Sequence, residues 1–362
     1  MDLILATYRI TAPESESRAR AEALAAEQSV EMPVSAIDDE RVLRQTVASV
    51  ESIRSHADYF DVVLGIAAST TGPEASQLAN MLFGNCSLQP EVELIDLEFP
   101  EGYERAFPGP RFGIEGLREI TRASGRALTC TALKPQGSTI EHLASLARTF
   151  ALAGIDVIKD DHGIADQAPH PFRERVPAVQ EAIDQANHES GGNAIYAPTF
   201  SGAARALAAQ ARVASDHGVK MALVAPLLVG LPAFVELRSE LDIPLMAHPA
   251  FAGSVRIAPP VLLGTLFRLL GADATIFPNH GGRFSFSRET CMAIAGTARA
   301  PWYGLRPVMP VPAGGMSVDR VDEMLAGYGV DTMLLIGGGL ISAKERLLDR
   351  SREFVRAVRC PA

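Results

Sequence analysis

From residue 127 onward the chain repeats one device: a short apolar run that ends in Gly, Pro, Asn, Asp or His, followed by an amphipathic stretch. The runs are Ala127–Pro135, Asp156–Asp161, Asn193–Phe200, Met221–Leu228, Ile243–Pro249, Asp273–Asn279, Val308–Gly315 and Thr332–Gly339. They are continuous, not alternating, as expected of strands buried on both faces. Helical patterns lie between them, for example Val261 through Leu270 and Val318 through Tyr328, with Ser287 and Ser317 placed as N-caps. Eight such units predict an α/β fold built on a closed (β/α)8 TIM barrel. An open doubly wound sheet would carry fewer strands and a GxGxxG turn after the first, which is missing here.

The N-terminal part reads differently. Leu3–Arg9, Val62–Ala67 and Val92–Leu97 have strand patterns, and Glu16–Gln28 and Glu74–Leu82 have helical ones. Their order is that of a ferredoxin-like α+β sandwich. Phe107–Gly113, rich in Pro and Gly, marks the linker. The expected division is an N-terminal domain at 1–115 and a barrel domain at 116–362.

Barrel enzymes carry their chemistry at the C-terminal ends of the strands. Strand 1 ends in Lys134-Pro135-Gln136, strand 2 in Lys159-Asp160-Asp161-His162 and strand 3 at Thr199. Strand 5 ends in His248, strand 6 in Asn279-His280-Gly281-Gly282-Arg283, strand 7 in Gly314-Gly315 and strand 8 in Gly337-Gly338-Gly339. A lysine and two carboxylates at the end of a buried strand are costly to desolvate unless something pairs with them. The partner is a divalent cation, an anionic substrate, or simply a neighbour in the fold. Lys134 suits the holding of an enolate oxygen. Lys159 suits either a base or, carbamylated by CO2, an anionic ligand that would hold Mg2+ together with Asp161. His162 is unusual in such a shell, because imidazole favours softer metals. His248 and His280 are candidates for proton transfer, although a lone histidine is more often structural. The glycine turns at 314–315 and 337–339 present bare amides suited to a phosphate, with a helix start downstream; tight turning alone is the structural alternative.

Composition narrows the partners. A net charge of −10 argues against nucleic acid and against an acidic membrane surface. No apolar run approaches the roughly 20 residues that span a bilayer. Met1–Leu5 lacks the features of a signal peptide, and Cys86, Cys130, Cys291 and Cys360 form no CxxC pair. The expectation is a cytoplasmic enzyme with reduced thiols.

With these residues assembled, the chain resembles the RuBisCO large subunit, and more closely the RuBisCO-like (form IV) proteins. Phe107–Ile114 resembles the family's F-x-G-P-x-x-G-I linker, Thr131–Pro135 its T-I-I-K-P, and Gly154–Asp161 its G-G-x-D-F-x-K-D-D metal motif. Ala26-Glu27-Gln28-Ser29 and Phe83-Gly84-Asn85 resemble segments that serve the neighbouring subunit's active site. The resemblance therefore implies a homodimer, or a multiple of dimers, in which Glu27 and Asn85 complete a shared site. It also implies Mg2+ on a carbamylated Lys159, Asp161 and the position of His162, with phosphate at Gly314, Gly315, Gly337, Gly338 and Gly339; Arg283 at the end of strand 6 is a further candidate substrate-binding residue.

The departures change the expected chemistry. His162 replaces a metal carboxylate, Gln136 replaces a proton-transfer lysine, and Pro249 after His248 replaces a phosphate-binding arginine. Bisphosphate carboxylation is therefore not expected, and a singly phosphorylated substrate is. The favoured expectation is decarboxylation, or hydrolytic C–C cleavage, of a 3-oxo sugar acid such as 3-oxo-isoapionate 4-phosphate, which forms an enolate without a base. The alternatives are an isomerase or enolase of a methionine-salvage ketose phosphate, a non-catalytic regulatory protein, and a metal-free enzyme with Lys159 as a free amine base.

Overall fold

The computed structural model describes residues 2–284 and 286–360. Contacts divide the chain into one unit of Met1–Phe107 with Phe251–Leu266, and another of Pro108–Ala250 with Phe267–Ala362.

In the first unit, strands β1 (Leu3–Ile10), β2 (Ser49–Ser55), β3 (Phe60–Ala67) and β4 (Val92–Glu98) form an antiparallel sheet ordered β2-β3-β1-β4. This is the ferredoxin-like arrangement. Alternation along β1 buries Ile4, Ala6, Tyr8 and Ile10 on one face. Tyr8 Oη donates to Leu82 O at 2.7 Å and ties that face to the helix Ala75–Phe83. No strand is expected at β2, and the reason is physical: Ser49–Ser55 is polar and has no buried position, so it carries no core-facing period. The segment 251–266 docks along β4, where Leu94 N donates to Arg256 O at 3.0 Å and Ala258 N to Leu94 O at 2.8 Å. The helical pattern expected at Val261–Leu270 is a π-helix at Pro260–Leu266 followed by one α turn at Phe267–Leu269. Residues Val261–Leu266 are all buried, so packing on every side, not an amphipathic period, decides their winding.

The second unit is the barrel. Its strands are β5 (Leu128–Leu133), β6 (Val157–Asp160), β7 (Ile195–Ala197), β8 (Thr199–Phe200), β9 (Ala222–Val224), β10 (Leu245–Ala247), β11 (Ala274–Pro278), β12 (Met309–Ala313) and β13 (Met333–Leu335). All pair in parallel, in the order β7-β6-β5-β13-β12-β11-β10-β9-β8. β7 and β8 are two halves of one stretch, parted at Pro198, which has no N–H to give the ladder. The nine segments are thus eight staves, and the ring closes through that third stave. Leu128 and Cys130, Val157, Ile276, Met309 and Val311, and Met333 and Leu335 fill the interior.

Every stave lies inside its expected run; most stop just before the polar residues at their ends, whereas β6 includes Lys159 and Asp160 and β8 begins at Thr199. Stave 4 stops at Val224, because Pro226 starts a helical turn at Pro226–Val229. Ser287 caps its helix, accepting from Thr290 N at 3.1 Å, whereas the Ser317 side chain caps nothing and a 3-10 turn at Val318–Arg320 leads in instead. Cys86, Cys130 and Cys291 are buried free thiols, and Cys360 is exposed. Among the described residues, no helix is long and apolar enough to cross a membrane.

Candidate active site

Pairing of β5 with β6 places Ala132 opposite Lys159 and Leu133 opposite Asp160. Side chains alternate along a strand, so Lys159 shares the barrel-facing side of β6 with the core residue Val157, while Asp160 faces the other way. One residue further on, Asp161 returns to the mouth. There Lys134 Nζ donates to Asp161 Oδ1 at 2.5 Å. Asp161 N donates to Leu133 O at 3.1 Å, and Thr199 Oγ1 donates to Asp161 O at 3.1 Å. Stave 5 joins through the His248 ring, which stacks on His162 with centroids 4.2 Å apart. His162 Nδ1 lies 3.6 Å from Asp161 Oδ1. On stave 8, a Cβ at Gly337 would stand 3.6 Å from Lys134 Cε, an ordinary contact distance, so that turn runs beside the lysine. The ends of staves 1, 2, 5 and 8 therefore share one cluster.

The electrostatics of the cluster are uneven. Lys159 is only 3% exposed, and its Nζ donates to Asp160 O at 2.9 Å. Burial pushes its pKa below the ordinary lysine value, and the charge of Lys134 adds to this, against the opposing pull of Cys130, Asp161 and Asp160. For Asp161, burial works upward, but hydrogen bonds from His162 and Lys134 and the charge of Lys159 prevail and hold the carboxyl well below its usual range. Burial, then Lys159 and His162, push the His248 imidazole down to about 2. Ala250 N donates to His248 Nδ1 at 3.1 Å, so the neutral ring carries its proton on Nε2.

Other expected residues stand elsewhere. His280 Nε2 faces Glu323 Oε1 at 3.3 Å, and its carbonyl is approached by Arg320. Arg283 is exposed and lies over the Phe284 ring at 5.0 Å. Gly314 and Gly315 have φ of 78° and 70°, and a Cβ at Gly315 would fall 2.2 Å from Gly282 Cα. Close approach of two loops thus accounts for Gly315 without a ligand. Gly338, by contrast, has open space around its Cβ direction. The helix that follows, Gly338–Ile341, is a single turn, so the helix dipole expected there is slight. Glu27 and Asn85 meet in the other unit, with Asn85 Nδ2 donating to Glu27 Oε1 at 2.9 Å. Gln136, expected at the end of strand 1, has its Oε1 3.3 Å from the Cβ position of Gly163, beside Asp161.

The donor set does not fit a magnesium shell. Mg2+ asks for oxygen ligands in octahedral array. Asp161 is the one carboxylate facing the mouth of stave 2, and it is paired with Lys134. Asp160 is turned away, His162 offers nitrogen, and Lys159 is a hydrogen-bond donor to a carbonyl. Among the described residues no three His, Cys, Asp or Glu side chains are grouped to hold a metal ion.

Residues 113–274 match the catalytic domain of the ribulose bisphosphate carboxylase large chain. The chain is 51% identical over 360 residues to a protein named 5-methylthioribulose-1-phosphate isomerase from Rhodospirillum rubrum, covering 99% of this chain and 96% of that one. It belongs to the RuBisCO-like proteins. The crystal structure of a RuBisCO-like protein from Rhodopseudomonas palustris superposes with a TM-score of 0.94 at 46% identity, covering 100% of this chain and 99% of that one. A 2,3-diketo-5-methylthiopentyl-1-phosphate enolase of Geobacillus kaustophilus is 31% identical, covering 99% of this chain and 92% of that one.

These relatives overturn the expected decarboxylation or C–C cleavage of a 3-oxo sugar acid and lend no support to the lyase assignment. They are named for an isomerase and an enolase instead. That expectation rests on Gln136 standing where the family has a proton-transfer lysine, a loss that a decarboxylation, needing no base, would tolerate. The RuBisCO-like fold here keeps a buried amine, Lys159, within the same cluster.

Proposed function

We propose that this RuBisCO-like protein isomerises a ketose phosphate bearing one phosphate and a thioether, the reaction class for which its Rhodospirillum rubrum relative is named. The observation that carries this reading is the juxtaposition of a buried lysine with a second lysine hydrogen-bonded to Asp161. An isomerisation of this kind takes a proton from one carbon beside the carbonyl and returns it to another, with no net oxidation. Lys159, whose charged form is disfavoured by burial, takes the proton as a free amine and gives it back as an ammonium. Negative charge gathers on the carbonyl oxygen in between, and the Lys134 ammonium neutralises it. His248 stays neutral and donates from Nε2 to a substrate oxygen. The turn at Gly337, Gly338 and Gly339, open around Gly338, receives the phosphate, and Glu27 and Asn85 of a second copy close the site.

The test is incubation of the purified protein in D2O with 5-methylthioribulose 1-phosphate and, separately, with 2,3-diketo-5-methylthiopentyl 1-phosphate, followed by proton and phosphorus NMR. Conversion of the first with deuterium entering next to the carbonyl supports the proposal. Turnover of the second alone makes the protein an enolase. A requirement for magnesium and bicarbonate would replace the free amine of Lys159 with its carbamate.

A further inference from the structure

Asp160 points away from the barrel interior and is completely buried, paired there with Arg175. Its carboxylate is fully engaged: Tyr196 Oη donates to Oδ1 at 2.7 Å, Thr199 N donates to Oδ2 at 3.0 Å, and Arg175 Nη2 lies 3.1 Å from Oδ2. Arg175 is also fully buried, on the helix Phe172–Ser190. Its Nη1 donates to two carbonyls of the loop that follows the site, Ala165 O and His170 O, both at 2.6 Å. The His170 ring, buried in the same loop, has no hydrogen-bond partner for either nitrogen, so this arginine and not the imidazole anchors the segment.

A buried ion pair adds little net stability over apolar packing of the same volume, because desolvation offsets the attraction. Its effect here is directional. The side chain of Asp160 is fixed on the outer face of β6, and the carbonyl of the same residue accepts from Lys159 Nζ at 2.9 Å on the inner one. The next residue, Asp161, holds Lys134. We infer that Arg175, Asp160 and Tyr196 form a positioning device that acts through the Asp160 carbonyl to place the amine of Lys159. None of the three touches substrate. The inference rests on reading Lys159 as the proton-transfer group.

Tyr196→Phe removes one hydrogen bond to Asp160, and Arg175→Lys keeps the charge but loses the fork that spans carboxylate and loop. Arg238→Lys is the control. Arg238 is a second fully buried arginine, paired with Asp273 at 3.0 Å, before the first residue of β11 at the opposite end of the staves. Three readouts are taken on the full chain: melting temperature, kcat against KM for 5-methylthioribulose 1-phosphate, and the rate of reductive methylation of Lys159 by formaldehyde, read by peptide mass spectrometry. For Y196F and R175K, kcat should fall about tenfold with KM within about twofold, since misplacement of a reacting group costs rate and not binding. Lys159 should be methylated several-fold faster in both variants. R238K should melt earlier while leaving kcat and labelling unchanged. Unchanged labelling and kcat in Y196F and R175K, or equal changes in R238K, would overturn the inference. Should R175K not fold, Y196F decides alone. If the wild type turns over no thioether phosphate, the functional reading fails, while the labelling comparison still decides the positioning.

Discussion

Gly315→Ala tests whether the stave-7 turn is glycine for packing or for a ligand. The added methyl carbon would stand 2.2 Å from Gly282 Cα and 3.1 Å from Gly282 N, where backbone and not a flexible side chain must yield. The residue also sits at φ of 70°, in the left-handed region. That conformation costs a non-glycine residue roughly 1–2 kcal/mol. Forcing two loops apart in a packed site adds about 1–3 kcal/mol. For a unit of this size 1 kcal/mol moves the midpoint by about 2–4 °C, so Gly315→Ala should melt roughly 4–20 °C below the wild type in a calorimetric scan. Gly338→Ala is the complement, because nothing lies within 4 Å of its Cβ position. It should melt within about 2 °C of the wild type but raise KM for the phosphorylated substrate by about tenfold, as a methyl intrudes on the amides of the turn. A Gly315→Ala protein that melts with the wild type would refute the close approach of the two loops. A Gly338→Ala enzyme with unchanged KM would refute the placement of the phosphate.

Three further outcomes are expected. Lys134→Met should lower kcat by about 10²–10³-fold with a smaller effect on KM, because the cation meets charge that exists only after proton removal; an equal rise in KM would mean that Lys134 simply binds substrate. Asp161→Asn should destabilise the protein by about 1–3 kcal/mol at neutral pH. Its folded pKa is depressed, so its contribution is complete above the ordinary carboxylate range and fades as pH falls through the folded value; melting curves of variant and wild type should therefore converge in strong acid, and a constant gap would refute the ionic role. Exhaustive chelation should leave the isomerase rate unchanged, and loss of activity restored by magnesium would refute the free-amine base.

Much of the architecture was legible before any coordinates. Each stave was readable as a continuous apolar run because both of its faces are buried, and the polar residues at its end were readable because the run stops there. The edge strand β2 was not, since an exposed polar strand leaves no hydrophobic period. The reaction was not legible, since a lysine missing at Gln136 favours chemistry that needs no base, and residue types alone do not say which of the candidate groups does the work.

The amino-acid order by itself determined the barrel, the small antiparallel sheet, and a ring of polar stave ends that included Lys134, Lys159, Asp161 and His248. Only the tertiary structure decided that Lys134 pairs with Asp161, that Asp160 turns outward to Arg175 and Tyr196, that His280 joins Glu323, and that Gly315 faces another glycine. Local periodicity records which face of a segment is buried. Which side chain meets which is settled by register and ring closure, and these bring together residues far apart along the chain.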